Sequence, residues 1–295
     1  MSKVGFIGLG IMGKPMAKNL AKAGYEVLAY DIFPEAVKEV ASAGCTGCSS
    51  IKEIAQACEL IVTMLPNSPH VRQVVLGEGG IIEYAASGTL IVDMSSIAPQ
   101  ASQEMHEALQ KKGIRMIDAP VSGGQPKAID GTLAIMVGGS EEDFNRAKPL
   151  FEVMGSSAVL VGAIGSGNTC KLVNQVIVAA NIAALSEGMM LAKKAGADPQ
   201  KVFEAIRGGL AGSTVMNAKA PMMLAGNFQP GFRIGLHIKD LANALDTGAA
   251  TGSPMILTAE VMQMLQMLKA DGKADSDHSA ILQYYEKISG TVLAD

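Results

Sequence analysis

The stretch that decides the fold is Val4-Gly5-Phe6-Ile7-Gly8-Leu9-Gly10-Ile11-Met12-Gly13, near the start of the chain. Its first part, Val4–Ile7, is apolar and predicts a buried strand, whereas Lys14–Ala23 has the apolar spacing of a helix. The pattern G-x-G-x-x-G is weak evidence by itself. Here it follows a strand and opens a helix, which is the context that gives the pattern a structural meaning.

Each glycine of this pattern has a physical role. Gly8 permits the tight turn, Gly10 lets the backbone approach a pyrophosphate, and Gly13 lets the helix pack closely on the strand. The helix N-terminus offers unpaired N–H groups to an anion. The pattern therefore predicts a dinucleotide site that includes Ile11 and Met12, with a glycine-rich turn that binds nothing as the alternative.

Asp31 strengthens the prediction of a dinucleotide site. It ends the second predicted strand, Glu26–Tyr30, about 20 residues after the glycines, where a carboxylate accepts hydrogen bonds from ribose hydroxyls. Ile32 and Phe33 follow, and neither is an arginine that could hold a 2′-phosphate. We therefore predict NAD as the cofactor, with NADP possible but less favoured.

Outward from this stretch, short apolar runs alternate with helical patterns. This alternation predicts a mostly parallel sheet covered by helices on both faces. Ligands bind beyond the carboxyl ends of such strands. Four residues at those ends are therefore predicted to lie beside the cofactor, although the polar ones could instead cap the helices that follow: Met64, Leu65, Asn67 and Ser95.

The second half of the chain has helical periodicity and almost no strand signal. A single helix of roughly 30 residues is predicted over Gly165–Ala195, longer than the usual ~11–12. We predict a Rossmann domain, an α/β doubly wound sheet, over residues 1–163. An all-α domain for substrate binding and oligomerisation is predicted over residues 164–295, joined to the first by the long helix.

Lys171 lies within the predicted long helix. Asn168, Lys171, Asn174 and Gln175 are three or four residues apart and so share one face, while the other positions are mainly apolar. Such a sparse polar stripe suits a buried helix that faces a cleft. A lysine serves as an acid/base when burial or a neighbouring cation lowers its pKa toward neutrality. Lys171 is thus a candidate acid/base, with a structural lysine as the alternative.

Two further stretches carry candidate residues. Asp118–Gly124 follows a predicted strand, and Ser122-Gly123-Gly124 within it offers a hydroxyl and successive backbone N–H groups, which suit a carboxylate. A plain turn is the alternative. Lys239-Asp240 lies early in a predicted helix, where a surface ion pair is the simpler interpretation.

Composition limits the classes of partner. The chain has 295 residues, a net charge of −4 and no basic run, which disfavours nucleic acid and acidic membranes. Four cysteines are too few for a disulfide framework in a chain of this length, and the lone Cys45–Cys48 pair predicts no metal site. The most apolar stretch, Val176–Ala192, contains polar residues and predicts a core helix rather than a membrane span. A cytoplasmic location is expected.

Taken together, four motifs in order give the chain a family resemblance over essentially its whole length. They are the glycine stretch Val4–Met16, then Asp118–Gly124, then Gly165–Asn174 with its lysine, and Lys239–Asp246. The chain resembles the β-hydroxyacid dehydrogenases, which include the 3-hydroxyisobutyrate dehydrogenases.

The resemblance implies a role for each matching residue. Lys171 would be the catalytic acid/base and Asn174 would orient the substrate. Ser122, Gly123 and Gly124 would hold the substrate carboxylate. Ser95 and Lys239 would contact the cofactor. Many members have a second asparagine where this chain has Gln175, which is predicted to bind substrate with a longer reach. A homo-oligomer, a dimer or a tetramer, is also implied.

Three runs resemble the members of the family that reduce tartronate semialdehyde to glycerate: Thr63–Val71, Ile206–Thr214 and Gly231–Asp246. The expected function is this reaction with NADH, run reversibly on a small carboxylate-bearing substrate. Oxidation of 3-hydroxyisobutyrate is the alternative within the family. A non-catalytic nucleotide-binding reader module is the alternative outside enzymes, and such a module would not need Lys171.

Overall fold

The computed structural model describes residues 3–294, and these divide into two compact units, the first ending at Lys171 and the second starting at Leu172. The first unit contains nine strands: β1 (Lys3–Ile7), β2 (Glu26–Tyr30), β3 (Thr46–Gly47), β4 (Leu60–Thr63), β5 (Leu90–Asp93), β6 (Arg115–Asp118), β7 (Val121–Ser122), β8 (Leu133–Gly138) and β9 (Gly155–Gly162). Its helices are α1 (Gly13–Lys22), α2 (Pro34–Ala41), α3 (Ile51–Ala57), α4 (Ser68–Leu76), α5 (Ile81–Tyr84), α6 (Pro99–Gln110), α7 (Gly124–Asp130) and α8 (Glu141–Met154).

The nine strands form one sheet in the order β3-β2-β1-β4-β5-β6-β8-β7, with β9 paired to β8. All pairs from β3 to β6 are parallel, whereas β8 runs antiparallel to β6 and β7. The chain moves from β1 outward to β3 and then returns to β4 on the other side of β1. This reversal of direction is where a doubly wound sheet opens a crevice for a ligand.

Two apolar cores cover the faces of this sheet. Leu90 and Val92 of β5 belong to one core and Ile91 belongs to the other, because successive side chains of a strand point to opposite faces. Helix α1 lies over the first core through Met16 and Leu20. The mostly parallel sheet with two covered faces confirms the predicted fold class.

Helix α9 (Ser166–Lys194) connects the two units and confirms the predicted long helix. By length and composition it could cross a membrane, but half of its most apolar window is buried in the protein, and core helices meet the same criteria. The other helices of the second unit are α10 (Pro199–Ile206), α11 (Thr214–Leu224), α12 (Ile234–Thr251), α13 (Ile256–Ala270) and α14 (Leu282–Ser289), with a 3₁₀ turn at His278–Ile281. Their shared core includes Ile182, Met189 and Leu241.

Five elements of the structure are absent from the sequence prediction, and one of them, α5, has only four residues. Strands β3 and β7 have two residues each, too few to show alternation. Helix α7 has Pro126 in its first turn and begins directly after Gly123, where the sequence suggests a loop. Helix α11 contains Pro221 and has apolar residues around its whole circumference, so that it shows no amphipathic stripe.

Candidate active site

The glycine loop, Gly8–Gly13, leads from β1 into α1, and its glycines have distinct surroundings. Gly8 has a φ of 100°, and a Cβ there would lie 2.3 Å from the backbone oxygen of Met64. A Cβ on Gly13 would lie 1.9 Å from the backbone oxygen of Gly8. By contrast, a Cβ on Gly10 would meet nothing within 4 Å. Gly8 and Gly13 therefore close the turn, while Gly10 borders open space at the start of α1.

Asp31, at the end of β2, fixes this loop. Its Oδ2 accepts a hydrogen bond from the Leu9 backbone N–H at 2.6 Å, and its Oδ1 accepts one from the Phe33 N–H at 2.9 Å. A carboxylate has about four acceptor positions, so these two bonds leave capacity for ribose hydroxyls. Ile32 and Phe33 are 73% and 67% exposed beside it. Open space at Gly10 together with a carboxylate at the end of β2 fits a bound dinucleotide.

The ends of β4 and β5 are tied together. The Ser95 hydroxyl accepts a hydrogen bond from the Leu65 N–H at 2.8 Å, and Ser95 is fully buried. Asn67 is the N-cap of α4, its side-chain oxygen accepting from the His70 N–H at 3.5 Å, which is the capping role that the sequence left open. Contacts of these residues with a cofactor stay predictions, as do those of Met64, which is half-buried, and Ile11, which is exposed.

Two buried carboxyl groups, Asp93 and Asp118, lie at paired positions at the ends of β5 and β6. Thr63 Oγ1 donates to Asp93 Oδ1 at 2.8 Å, and the Ser95 N–H donates to the same oxygen at 3.2 Å. Burial raises the pKa of Asp93 to about 7, opposed by these hydrogen bonds, and the charge of Asp118 adds to the rise. Burial likewise raises the pKa of Asp118 to about 6.

We expect Asp93→Asn to raise the free energy of unfolding by about 1–3 kcal/mol at pH 8, and by less at pH 5. The folded state binds the Asp93 proton more tightly than the unfolded state, whose carboxyl titrates near the ordinary value of 3.8. Wild-type stability contributed by this group therefore falls as pH rises from about 4 to about 7. Urea denaturation at both pH values, with the exposed Asp130→Asn as control, measures the difference. A stabilisation independent of pH would contradict it.

Asp118 and Asn168 anchor the start of α9. Asp118 Oδ1 accepts from the Gly165 N–H at 2.7 Å, and its Oδ2 accepts from the Asn168 N–H at 2.6 Å. The Asn168 side chain accepts from the Ile97 N–H at 3.0 Å and donates to Ser102 Oγ at 3.1 Å. These bonds fasten the first turn of α9 to the end of β6, to the loop after β5 and to α6.

Two glycines allow this close approach. A Cβ on Gly138 would lie 2.4 Å from Asp118 Oδ1, and one on Gly167 would lie 2.5 Å from the Met136 backbone oxygen. The sequence predicted that Asn168 lies on a polar stripe that faces a cleft. In the structure Asn168 is 1% exposed, and both polar atoms of its amide hold the start of α9 in place. Asn168 therefore does not belong to the stripe that faces a cleft.

Lys171 follows this anchor by one helical turn and is 7% exposed. A lysine is rarely so buried unless its ammonium group has partners, and this side chain has interactions of its own. Because its turn of α9 is fixed to the strand ends, the direction of the Lys171 side chain is also constrained. Such a placement suits a group that must meet a reacting atom repeatedly in one geometry.

The segment predicted to bind a carboxylate starts at the same anchor. From Asp118 the chain runs through β7 to Gly123 and Gly124, whose φ angles are 138° and 69°. Only glycine adopts both angles readily, and Gly123 is exposed at this bend. Ser122 is half-buried beside them.

The second unit holds the other predicted residues. Gln175 is 4% exposed, and its amide contacts Asn174 and Asp240 inside the unit, so that the structure shows internal partners for a side chain predicted to bind substrate. Lys239 forms an ion pair with Asp240 at 3.0 Å, and the Asp240 side chain is only 3% exposed. The ion pair is therefore largely buried, unlike the surface pair considered from sequence.

Three of the cysteines lack the features of reactive thiols. Cys45, Cys48 and Cys58 are buried free thiols. Burial raises the pKa of each, to about 11 for Cys58, which disfavours the reactive thiolate. Among residues 3–294, no group of three or more metal-binding side chains is arranged to hold a metal ion.

Comparison with known proteins gives two family models that together span residues 3–285. Residues 3–165 match the family model "NAD binding domain of 6-phosphogluconate dehydrogenase". Residues 165–285 match "NAD-binding of NADP-dependent 3-hydroxyisobutyrate dehydrogenase".

Individual relatives extend over the full length. The chain is 43% identical to 2-hydroxy-3-oxopropionate reductase of Escherichia coli, covering 99% of this chain and 100% of that protein. It is 38% identical to human mitochondrial 3-hydroxyisobutyrate dehydrogenase, covering 95% and 86%. Among solved structures, a Mycobacterium tuberculosis 3-hydroxyisobutyrate dehydrogenase with L-serine superposes with a TM-score of 0.90 at 33% identity, covering 97% and 99%.

Proposed function

The chain belongs to the 3-hydroxyisobutyrate dehydrogenase-like β-hydroxyacid dehydrogenases, which use NAD(P), and on this basis we propose that it reduces tartronate semialdehyde to glycerate with NADH, reversibly. Tartronate semialdehyde is 2-hydroxy-3-oxopropionate, the substrate named for the Escherichia coli relative. The observation that carries the proposal is Lys171, a buried lysine one helical turn after the bonds that Asp118, at the end of β6, makes to the start of α9.

In the proposed reaction, Lys171 handles the proton. NADH, when bound, supplies the hydride that reduces the aldehyde carbon. The protonated Lys171 donates its Nζ proton to the carbonyl oxygen as the carbon is reduced, so that a neutral alcohol forms. In the oxidative direction the neutral amine accepts the hydroxyl proton. Ser122, Gly123 and Gly124 orient the substrate by binding its carboxylate through a hydroxyl and backbone N–H groups.

The cofactor preference rests on Asp31. Its carboxylate is fixed by the Leu9 and Phe33 N–H groups, and a 2′-phosphate near it would face a negative charge. The residues that follow, Ile32 and Phe33, are apolar and exposed and offer no cation to a phosphate. We propose that the enzyme prefers NAD to NADP for this reason.

We expect glycerate with NAD to give the highest kcat/KM among four combinations of substrate and cofactor. Glycerate and 3-hydroxyisobutyrate differ at C2, which bears a hydroxyl in one and a methyl in the other. A site with a buried polar partner for that hydroxyl rejects the methyl analogue by about 10-fold or more, since the partner stays unpaired. Initial rates of NADH or NADPH formation measure the four values. A preference for 3-hydroxyisobutyrate would refute the substrate, and a preference for NADP would refute the cofactor.

A homo-oligomer and a cytoplasmic location stay predictions. One observation supports the homo-oligomer. Helix α9 presents a narrow apolar stripe of exposed side chains that includes Val173, Ile177 and Leu191. A second copy of the chain could cover this stripe.

A further inference from the structure

A buried polar link joins Asn174 and Gln175 on α9 to Asp240 on α12. Asn174 Nδ2 donates to Gln175 Oε1 at 2.9 Å, and Gln175 Nε2 donates to Asp240 Oδ2 at 2.6 Å. Lys239 Nζ lies 3.0 Å from the other oxygen of Asp240. Gln175 and Asp240 are 4% and 2% exposed, so the bond between them forms away from water, where hydrogen bonds are strong and unpaired groups are costly.

Asp240 determines the direction of every bond in this link. The Asp240 carboxylate, which pairs with the Lys239 ammonium group at 3.0 Å, only accepts hydrogen bonds. Gln175 must therefore turn its Nε2 donor toward Asp240. Its Oε1 acceptor then faces Asn174, so the Asn174 side chain must donate from Nδ2. The oxygen of Asn174, Oδ1, is the atom that the link does not use.

The position of Asn174 allows its Oδ1 atom to affect substrate binding. Asn174 lies three residues after Lys171 on the same face of α9 and is half-buried, unlike Gln175. Extending the proposed function, we propose that Asp240 and Gln175 are positioning residues which make Asn174 present an acceptor, Oδ1, to the C2 group of the substrate. An acceptor suits a C2 hydroxyl, gains nothing from a methyl, and repels a C2 carbonyl.

The length of Gln175 matches this role. An asparagine at position 175 has one methylene fewer, and its amide could not meet both Asp240 and Asn174 at the observed distances unless a helix moved. The extra reach of glutamine therefore serves a contact inside the protein. It is the reason that we assign Gln175 to positioning and not to direct contact with substrate.

Lactate and pyruvate test the direction of the link. Both have a carboxylate and no oxygen at C3, so neither can undergo the proposed reaction, and they differ only in a C2 hydroxyl against a C2 carbonyl. Dissociation constants for the enzyme with NADH bound are measured by nicotinamide fluorescence. We expect the wild type to bind lactate about 10-fold more tightly than pyruvate, because pyruvate can only accept.

Asp240→Asn should invert this preference. Its amide oxygen would stay with Lys239 and its NH₂ would face Gln175, so that both amides turn over and Asn174 presents Nδ2. We expect the ratio of the two constants to shift toward pyruvate by at least about 10-fold. The double variant Asp240→Asn with Gln175→Glu restores an acceptor facing Asn174, and should return the ratio to the wild-type value. A purely structural defect would weaken both ligands equally.

An unchanged ratio in Asp240→Asn, or a wild type that prefers pyruvate, would overturn the inference. Circular dichroism and NADH binding establish that each variant is folded. If Asp240→Asn does not fold, Asn174→Leu removes the oxygen itself and should abolish the preference for lactate; a preference that survives would also overturn the inference. Because the measurement needs no turnover, failure of glycerate as a substrate refutes the proposed function separately.

Discussion

Replacing Lys171 with methionine is expected to lower kcat for glycerate oxidation by about 10²–10⁴-fold, the usual contribution of a positioned acid/base. Methionine fills most of the volume of the lysine stem and suits a site that is 7% exposed, so that the fold should survive. The proton of the reacting hydroxyl would lose its acceptor, whereas the glycine loop would be unchanged. The dissociation constant for NADH, measured by fluorescence titration, should therefore stay within about 3-fold of the wild type.

Lys171→Arg separates charge from proton transfer. Arginine keeps the positive charge but is effectively always protonated, so it can hold an anion and cannot accept a proton. We expect its kcat to fall nearly as far as that of Lys171→Met. Lys148→Met, which removes an exposed lysine of the same unit, is the matched control and should leave kcat unchanged. Substantial turnover by Lys171→Met would refute the acid/base role.

The sequence was informative where structure is local. The run Glu26–Tyr30 coincides with β2, because it has the apolar pattern of a buried strand and is followed by a helix signal. The glycine loop was also predictable, since its spacing reflects steric demands within one turn. Those demands are now visible as the contacts that a Cβ on Gly8 or Gly13 would make.

Contacts between distant residues could not be predicted in the same way. Asp118 accepts from the backbone of Gly165 and Asn168, which follow it by 47 and 50 residues, and only the folded sheet brings them together. Helical spacing placed Asn168 on the face of Lys171, but it could not show that the strand ends occupy that face at the first turn. The partner of Gln175, Asp240, is 65 residues away, which is why its role as an internal contact was hidden.

The glycine loop gives the second large expected effect, through Gly13→Ala. The new Cβ would lie 1.9 Å from the Gly8 backbone oxygen and 3.2 Å from the Phe6 ring, and the backbone atom cannot move aside as a side chain could. Either the loop or α1 must shift. We expect the free energy of unfolding to fall by about 2–4 kcal/mol and the NADH dissociation constant to rise more than 10-fold.

Gly10→Ala is expected to weaken NADH binding without the loss of stability. A Cβ there meets nothing within 4 Å, but it occupies the space through which the backbone would approach the pyrophosphate. The NADH dissociation constant should rise about 10-fold or more, while urea denaturation should match the wild type. Gly188→Ala, toward the C-terminal end of α9 and with nothing within 4 Å of the new Cβ, is the control and should bind NADH normally with equal or greater stability. Normal NADH binding by Gly10→Ala would contradict the placement of the pyrophosphate, because a Cβ on Gly10 would then not interfere with the bound cofactor.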